Sequence, residues 1–219
     1  HLRRNIEKMT LTSQNMRLEL LYGVLFKFIN KNLIKVYKKN VKRFGFSPAA
    51  LFWNSKFSQE SRFKVIEFLI KKFSNLEGLR IADIGCGFGD LYEYLKTKRK
   101  HSFQYRGYDI NPEMINYCKN KYNPDLFFIS TFPETDCDLS IISGTYNYAT
   151  INDIYLWEKY LIFNLKECFK RSRIGIIFNL QISSETKIIN NIYYTNLNSM
   201  IKLLEKNFSK IHYHLDKRS

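Results

Sequence analysis

One short segment, residues 81–90 with the sequence IADIGCGFGD, constrains the fold of this chain more than any other. Its apolar residues predict a buried strand, and three glycines at alternate positions follow directly before a helical pattern. Glycine adopts backbone angles that other residues avoid and lets a ligand approach the main chain, while the following helix offers free N–H groups. The segment therefore predicts a ligand site at a strand-to-helix turn, with a purely structural turn as the alternative.

Short apolar runs alternate with helical patterns from Gly78 onward, which is the sequence form of a parallel βαβ sheet. The predicted strands cover residues 80–85, 105–110, 126–130, 138–143, 174–180 and 210–215. The predicted helices between them cover residues 91–98, 112–121, 154–169 and 196–206. Together these elements predict an α/β fold in which a mostly parallel sheet has helices on both faces.

A helical region precedes this part of the chain. Apolar residues between Asn15 and Arg43 recur at helical spacing with lysines between them, which predicts one or two amphipathic helices. A break at residues 44–48 (FGFSP) is followed by a further predicted helix over residues 58–73. We therefore expect an N-terminal helical extension or lid over residues 1–57 and a ligand-binding domain over residues 58–219.

The basic charge of the chain is concentrated in this extension. The formal net charge is +15, and residues 1–48 hold eleven basic and two acidic side chains. Such a segment suits nucleic acid or an anionic membrane surface. The abundance of lysine, isoleucine and asparagine is typical of A/T-rich coding sequence, which reduces the weight of the charge. Nucleic acid is therefore an alternative partner rather than the favoured one.

The four cysteines lie far apart and form no C-x-x-C pair. Neither a zinc site nor a disulfide scaffold is predicted, and a reducing cytoplasm fits this cysteine usage best. The chain shows no secretory signal pattern, and its longest apolar run, residues 20–29, is too short for a transmembrane helix. The oligomeric state does not follow from the sequence.

The glycine spacing separates two classes of nucleotide-binding protein. Residues 85–89 have the pattern G-x-G-x-G, whereas dinucleotide folds use G-x-G-x-x-G, so a dehydrogenase is disfavoured. The segment resembles the first motif of class I S-adenosylmethionine-dependent methyltransferases, an acidic residue followed by x-G-x-G-x-G. This resemblance implies a Rossmann-like three-layer sandwich, adenosylmethionine as cofactor, adenosylhomocysteine as product, and no metal. It assigns cofactor binding to Asp83, Gly85, Cys86, Gly87 and Gly89.

A second motif ends the next predicted strand at Asp109, twenty residues after the last of these glycines. In the family, the acidic residue at this place holds the two ribose hydroxyls, and a carboxylate suits a vicinal diol because it accepts two hydrogen bonds. The alternative role for Asp109 is to cap the helix that begins at Pro112, for which Asn111 is equally suited. By the same resemblance Ile110 and Met114 pack on the adenine, with ordinary core positions as the alternative.

The third and fourth strands supply the remaining predicted contacts. Thr131 occupies the place that meets the adenine edge in the family, although this sequence lacks the Asp that many relatives have there. Ser143 and Gly144 border the methyl group by the same resemblance, and Tyr146 and Asn147 are candidate catalytic residues that orient the acceptor. The segment is not the D/N-P-P-Y/F motif, which disfavours the class that methylates amino groups of nucleic acids or glutamine.

The segment before the core resembles the pattern W-x(5)-Q-x-x-R-F of a bacterial subset of these enzymes. Trp53, Gln59 and Arg62 match it, and the last two lie one helical turn apart on one face. All three are predicted to bind the cofactor. Because a guanidinium holds a carboxylate through two parallel hydrogen bonds, Arg62 is predicted to hold the methionine carboxylate. A solvated arginine on an amphipathic helix is the alternative.

The resemblance implies a methyltransferase (EC 2.1.1.-) of bacterial, small-acceptor type, which methylates oxygen or nitrogen of a small-molecule or saccharide-type acceptor. Such a displacement requires alignment and exclusion of water rather than a covalent nucleophile. The alternative is a basic RNA-binding or peripheral membrane protein that has the fold without catalysis. The resemblance covers about residues 50–215, and the family's last sheet strand is missing, which we attribute to truncation or a lost tail.

Overall fold

A parallel sheet between two layers of helices carries the glycine turn. The computed structural model of the chain describes the backbone of residues 2–73, 77–98 and 102–215 and the side chains of residues 20–72, 77–97 and 102–215. Its α-helices are α1 (Leu2–Phe44), α2 (Lys56–Phe73), α3 (Asp90–Lys98), α4 (Pro112–Lys121), α5 (Ile154–Lys170) and α6 (Leu197–Glu205). Its strands are β1 (Leu79–Ile84), β2 (Phe103–Asp109), β3 (Phe127–Ile129), β4 (Cys137–Ile142), β5 (Ser172–Phe178), β6 (Gln181–Ile182), β7 (Lys187–Ile189) and β8 (Ile192–Thr195).

Five strands form the main sheet in the order β3-β2-β1-β4-β5, and each neighbouring pair is parallel. β1 lies at the centre, where Ile81 pairs with Tyr105 of β2 on one side and Leu139 of β4 on the other. The strand order therefore reverses at β1. In open α/β sheets this switch point opens a crevice at the carboxyl ends of the strands.

Buried side chains fill both faces of the sheet. One cluster joins Ile81 and Ile141 to α2, α3 and α4, and the other joins Ala82 and Ile84 to α1, α5 and α6. Successive residues of a strand point to opposite faces, and both are apolar because helices cover both faces. The predicted Rossmann-like three-layer sandwich with an N-terminal helix is confirmed.

The N-terminal helix is one continuous element, whereas the sequence predicts either one or two helices there. Ile29 and Leu33 are buried in the same cluster as Trp157 of α5. The ring of Phe26 lies 5.0 Å from that of Phe163, measured between centroids. The domain boundary at residue 57 stays a prediction, and α1 shares one apolar core with the sheet.

A small second sheet, with the strand order β6-β8-β7, follows β5. Asn190 and Asn191 form the turn between β7 and β8 with φ of +50° and +64°, a conformation that asparagine adopts more readily than most residues. The N–H of Tyr193 donates to the carbonyl oxygen of Asn147 (2.8 Å), and the N–H of Ala149 donates to that of Asn191 (2.7 Å). The hairpin thereby holds the loop that follows β4.

The predicted strand over residues 210–215 is wrong. This segment is irregular, and Tyr213 and Leu215 are exposed. An alternating apolar pattern forms a strand only where a neighbouring strand offers hydrogen bonds, and β5 pairs with β4 alone in the described residues. The other five predicted strands and the predicted helices over residues 58–206 are confirmed to within two residues.

None of the helices in the described part of the chain is long and apolar enough to cross a membrane. Among the described side chains, no group of three or more His, Cys, Asp or Glu is arranged to hold a metal ion. The four cysteines are buried free thiols.

Candidate active site

The glycine turn after β1 is held by backbone hydrogen bonds to β2. The N–H groups of Gly85 and Cys86 both donate to the carbonyl oxygen of Tyr108, at 2.7 and 3.0 Å. Gly85 has a φ of +71°, and a Cβ atom there would lie 2.8 Å from Cγ2 of Thr145. The backbone angle and the close contact therefore both require glycine at this position.

Asp109 is joined to the same turn. Its Oδ2 accepts a hydrogen bond from the N–H of Gly87 (3.0 Å), and its Oδ1 accepts one from the N–H of Asn111 (2.8 Å). Burial raises the pKa of Asp109 to about 6, and the backbone donors partly offset that rise. Since a carboxylate has about four acceptor positions, lone pairs remain for a ligand. Asn111, and not Asp109, caps α4, because its side chain accepts from the N–H of Glu113.

A cleft opens where β1, β2 and β4 end. We call Gly85, Gly87 and Asp109 the floor of the cleft. We call the apolar side chains from α1 and the segment after it the roof, which consists of Leu33, Tyr37, Leu51 and Trp53. Ten of the predicted site residues line the cleft: Trp53, Gly85, Gly87, Asp109, Ile110, Met114, Thr131, Ser143, Gly144 and Tyr146.

Three predicted residues of the first motif lie behind the turn. Asp83 is buried and accepts a hydrogen bond from the hydroxyl of Tyr105 (2.7 Å), and burial raises its pKa to about 7. Burial also raises the pKa of the Cys86 thiol well above its ordinary value. A Cβ atom on Gly89 would lie 2.7 Å from Cε2 of Tyr122. These residues therefore support the turn from the side away from the cleft.

Gln59 and Arg62 of α2 lie beside the site, outside the lining of the cleft. Nε2 of Gln59 donates to Oδ2 of Asp90 (3.0 Å) at the start of α3. The guanidinium of Arg62 lies over the ring of Trp53, 5.0 Å from its centroid. A Cβ atom on Gly144 would lie 3.1 Å from Cζ2 of the same indole. Arg62 thus contacts a residue of the roof.

The loop after β4 carries the predicted acceptor-side residues. Ser143 lines the cleft, and its Oγ is buried with no hydrogen-bond partner among the described residues. Tyr146 is also buried, which raises the pKa of its phenol well above the ordinary value and keeps it protonated. Asn147 lies outside the lining, with its Oδ1 buried and without a partner in the described part. The loop therefore offers neutral hydrogen-bonding groups to the cleft.

Sequence reasoning missed Leu33 and Tyr37 on α1 and Tyr160 and Asn164 on α5, which all line the cleft. Each pair is spaced by four residues and so lies on one helix face, which the periodicity alone could have marked as inward-facing. The hydroxyl of Tyr160 donates to Oδ1 of Asn30 (2.5 Å) and joins α5 to α1. Periodicity does not say which element a helix face meets, and this contact spans 130 residues of sequence.

Residues 81–173 match the family model described as a methyltransferase domain. The match contains the glycine turn, Asp109 and the loop after β4. This chain contains a class I S-adenosylmethionine-dependent methyltransferase domain. The floor of its cleft lies inside the matched residues, whereas the roof lies before them.

Known methyltransferases resemble the chain in sequence and in fold. Rv1506c of Mycobacterium tuberculosis, which carries the provisional name of a methyltransferase, is 28% identical over 136 residues, covering 59% of this chain and 81% of that protein. A SAM-dependent methyltransferase of Leishmania major superposes with a TM-score of 0.60 at 15% identity, covering 83% of this chain and 72% of its own. Magnesium protoporphyrin IX methyltransferase of Synechocystis PCC 6803, solved with bound SAM, gives 0.50 at 20% identity, covering 68% of each chain. The two structures share the fold of the methyltransferase domain.

Proposed function

We propose that the domain binds adenosylmethionine in the cleft and transfers its methyl group to oxygen or nitrogen of a small-molecule or saccharide-type acceptor. One observation carries the proposal: Asp109 is bonded to the N–H of Gly87 at the carboxyl edge of a parallel sheet. This hydrogen bond places a carboxylate beside a turn whose backbone a ligand can approach. A ligand with a diol and a polar chain fits both features.

The residues present fit this cofactor. Asp109 would accept hydrogen bonds from the ribose hydroxyls. Gly85 and Gly87 line the cleft without side chains, and a Cβ atom at either position would crowd Thr145 or Leu51. Ile110 and Met114 line the adjoining wall and would pack on the adenine, and Thr131 would meet its edge. Arg62 and Gln59 would act beside the methionine end, through Trp53 and the start of α3 respectively.

Adenosylmethionine supplies a methyl group that a sulfonium activates for in-line displacement. The residues of this chain must align the acceptor and exclude water, because orientation of the reactants and a dry site both lower the barrier to such a transfer. The roof is suited to that task, since Leu33, Leu51 and Trp53 are large and apolar. Tyr37 is half-buried beside them, and the loss of solvent around its phenol raises the pKa of that group, which stays neutral.

The acceptor side offers hydrogen bonds without charge. Burial raises the pKa values of Tyr146 and Tyr160, so both phenols remain protonated at neutral pH. Together with Oγ of Ser143, which has no hydrogen-bond partner in the described part of the chain, they would orient a hydroxyl or amine. We assign the orienting role to Tyr146, and we assign to Asn147 the shaping of its loop, because its backbone oxygen is held by the N–H of Tyr193.

We place the protein in the cytoplasm of a bacterium. Its four cysteines are buried free thiols, which suits a reducing compartment. Two observations support a bacterial origin. Trp53, Gln59 and Arg62 match the bacterial pattern, and the relative Rv1506c is bacterial.

The first experiment measures the binding of adenosylmethionine and adenosylhomocysteine to the purified chain by isothermal titration calorimetry. We expect micromolar dissociation constants for both ligands, with NAD as a negative control. Methyl-labelled adenosylmethionine is then incubated with fractionated bacterial extract, and label is sought separately in small molecules, saccharides, protein and RNA. Label that enters only RNA or protein would contradict the proposed acceptor class, and absence of cofactor binding would contradict the proposal as a whole.

A further inference from the structure

The outward face of α1 carries large apolar side chains that the core does not use. Leu20, Leu21, Val24 and Phe28 are 73%, 63%, 62% and 53% exposed. The inward face of the same helix already fills the core with Phe26, Ile29 and Leu33. Most of the apolar face predicted from the sequence thus packs on the core, although Leu21, which belongs to that predicted face, is exposed. The exposed apolar residues lie opposite, without a partner among the described side chains.

Lysines continue this outward face toward the end of the helix. Residues 20–59 contain no Asp or Glu. Steps of three or four residues from Leu20 lead along one side of the helix, so the exposed residues form a single line roughly 33 Å long. We call this line the outer stripe, which consists of Leu20, Leu21, Val24, Lys27, Phe28, Lys31, Lys35, Lys38, Lys39 and Lys42.

We propose that the outer stripe docks on an anionic lipid surface. An interfacial helix buries apolar side chains in the boundary between headgroups and acyl chains while its lysines meet anionic headgroups, and the outer stripe contains both groups on one face. The four apolar residues at one end would insert, and Lys31, Lys35 and Lys42 would meet the headgroups. Lys38 contributes less, because it already pairs with Glu113 (2.9 Å).

Two other occupants fit the outer stripe less well. An RNA would neutralise the lysines through its phosphates but would leave four exposed apolar side chains in water. A second copy of the chain, paired side by side, would place lysines against lysines in a parallel arrangement and lysines against apolar residues in an antiparallel one. A lipid surface alone satisfies both halves of the stripe.

Docking at this place would act on the cleft. Leu33 and Tyr37 belong to the roof and lie on the face of α1 opposite the outer stripe. The helix that meets the lipid surface is therefore the helix that covers the site, and the cleft would face a defined direction relative to that surface.

The test is sedimentation of the purified chain with vesicles, either pure phosphatidylcholine or phosphatidylcholine with 30% phosphatidylglycerol. We expect binding to the anionic vesicles only. The double variants Lys31→Glu/Lys35→Glu and Val24→Ser/Phe28→Ser should each weaken that binding at least tenfold. The control Lys64→Glu/Lys119→Glu makes the same change in net charge at exposed positions outside the stripe and should bind within twofold of the wild type.

Several outcomes would overturn the proposal. Equal losses in the control and in Lys31→Glu/Lys35→Glu would show attraction by net charge alone. Unchanged vesicle binding by Val24→Ser/Phe28→Ser, with tight binding of a single-stranded RNA, would assign the lysines to nucleic acid. A dimer in light scattering that only Val24→Ser/Phe28→Ser dissociates would assign the apolar residues to a second copy. Thermal melting verifies that each variant is folded, which is expected because all the changed side chains are exposed.

Discussion

The floor and the roof of the cleft are built in different ways. The floor is held by hydrogen bonds from N–H groups of the turn after β1: Gly85 and Cys86 donate to the carbonyl oxygen of Tyr108, and Gly87 donates to the side-chain carboxylate of Asp109. The roof is held by side-chain packing, in which the Trp53 ring meets Arg62 of the following helix and Gly144, which lies far along the chain. Directional bonds and positive φ angles leave the floor little room to adjust, whereas apolar contacts can repack.

This difference predicts which changes are severe. Even a small substitution in the floor should remove cofactor binding. A substitution in the roof should change the dissociation constant of the cofactor only by a small factor. The variants below test that contrast, beginning with the largest expected effect.

Gly85→Ala should abolish measurable binding of adenosylhomocysteine, a loss of more than about 100-fold. The new Cβ would meet Thr145, and the φ of +71° is strained for alanine. Gly78→Ala is the matched control, because its φ is +69° but nothing lies within 4 Å of its Cβ position. The control should lose about 1–2 kcal/mol of unfolding free energy and keep its affinity. Equal dissociation constants for Gly85→Ala and Gly78→Ala in calorimetry would show that the floor is not sterically restricted.

Asp109→Ala should weaken binding of adenosylmethionine about 10- to 100-fold, because hydrogen bonds to a charged group contribute about 1.5–3 kcal/mol. Asp125→Ala removes an equal charge from an exposed position and should leave the dissociation constant unchanged. Calorimetry on both variants, with circular dichroism to verify folding, measures the difference. If Asp109→Ala bound as tightly as the control, the ribose would not be held by this carboxylate.

The contrast also explains what the sequence could predict. The floor is encoded by a contiguous motif and by Asp109 at a fixed spacing, and each of its contacts is between adjacent strands, so local pattern sufficed. The strands β1 to β5 and the helices α2 to α6 followed from periodicity for the same reason. The sequence allows either Asp109 or Asn111 to cap α4, and the structure shows that the Asn111 side chain accepts the hydrogen bond from the N–H of Glu113.

The roof and the small sheet could not be predicted in this way. Tyr37 reaches the cleft because α1 packs on α5, and the Asn30 to Tyr160 contact that joins these helices has no local signal. The strands β6, β7 and β8 have two to four residues each, too short for an alternating pattern to stand out. The segment 210–215 alternates convincingly but has no neighbouring strand to pair with in the described residues.

Lowering the pH should weaken cofactor binding, because Asp109 in the floor becomes protonated. Burial raises the pKa of Asp109 to about 6, so its carboxylate is mostly ionised at pH 7.5 and mostly protonated at pH 5. A protonated carboxyl accepts the ribose hydrogen bonds poorly, and the dissociation constant should rise about tenfold over this range. Titrations at pH 5, 6 and 7.5 measure the change. A constant affinity would show that protonation of Asp109 does not affect the ligand.

The free energy of unfolding should depend on pH in the direction opposite to that of cofactor affinity. Asp83 and Asp109 have folded pKa values of about 7 and about 6, above the value of about 3.8 for an unfolded chain, so the native state binds more protons between pH 4 and 7. The unfolding free energy therefore falls as pH rises through that window. Asp83→Asn should reduce this slope in thermal melts and leave the pH dependence of affinity intact. An unchanged slope would mean that Asp83 does not titrate there.

The smallest effect should come from the roof. Arg62→Lys keeps the charge but loses the planar contact with Trp53, worth about 0.5–1 kcal/mol, so cofactor affinity should fall about two- to fivefold. A comparison of two ligands distinguishes support of Trp53 by Arg62 from direct binding of the methionine carboxylate by Arg62. Support through Trp53 predicts the same factor for adenosylmethionine and its decarboxylated analogue, which calorimetry can compare. A penalty confined to the parent would instead show that Arg62 turns toward the methionine carboxylate when the ligand binds, and the roof would then share the directional bonding of the floor.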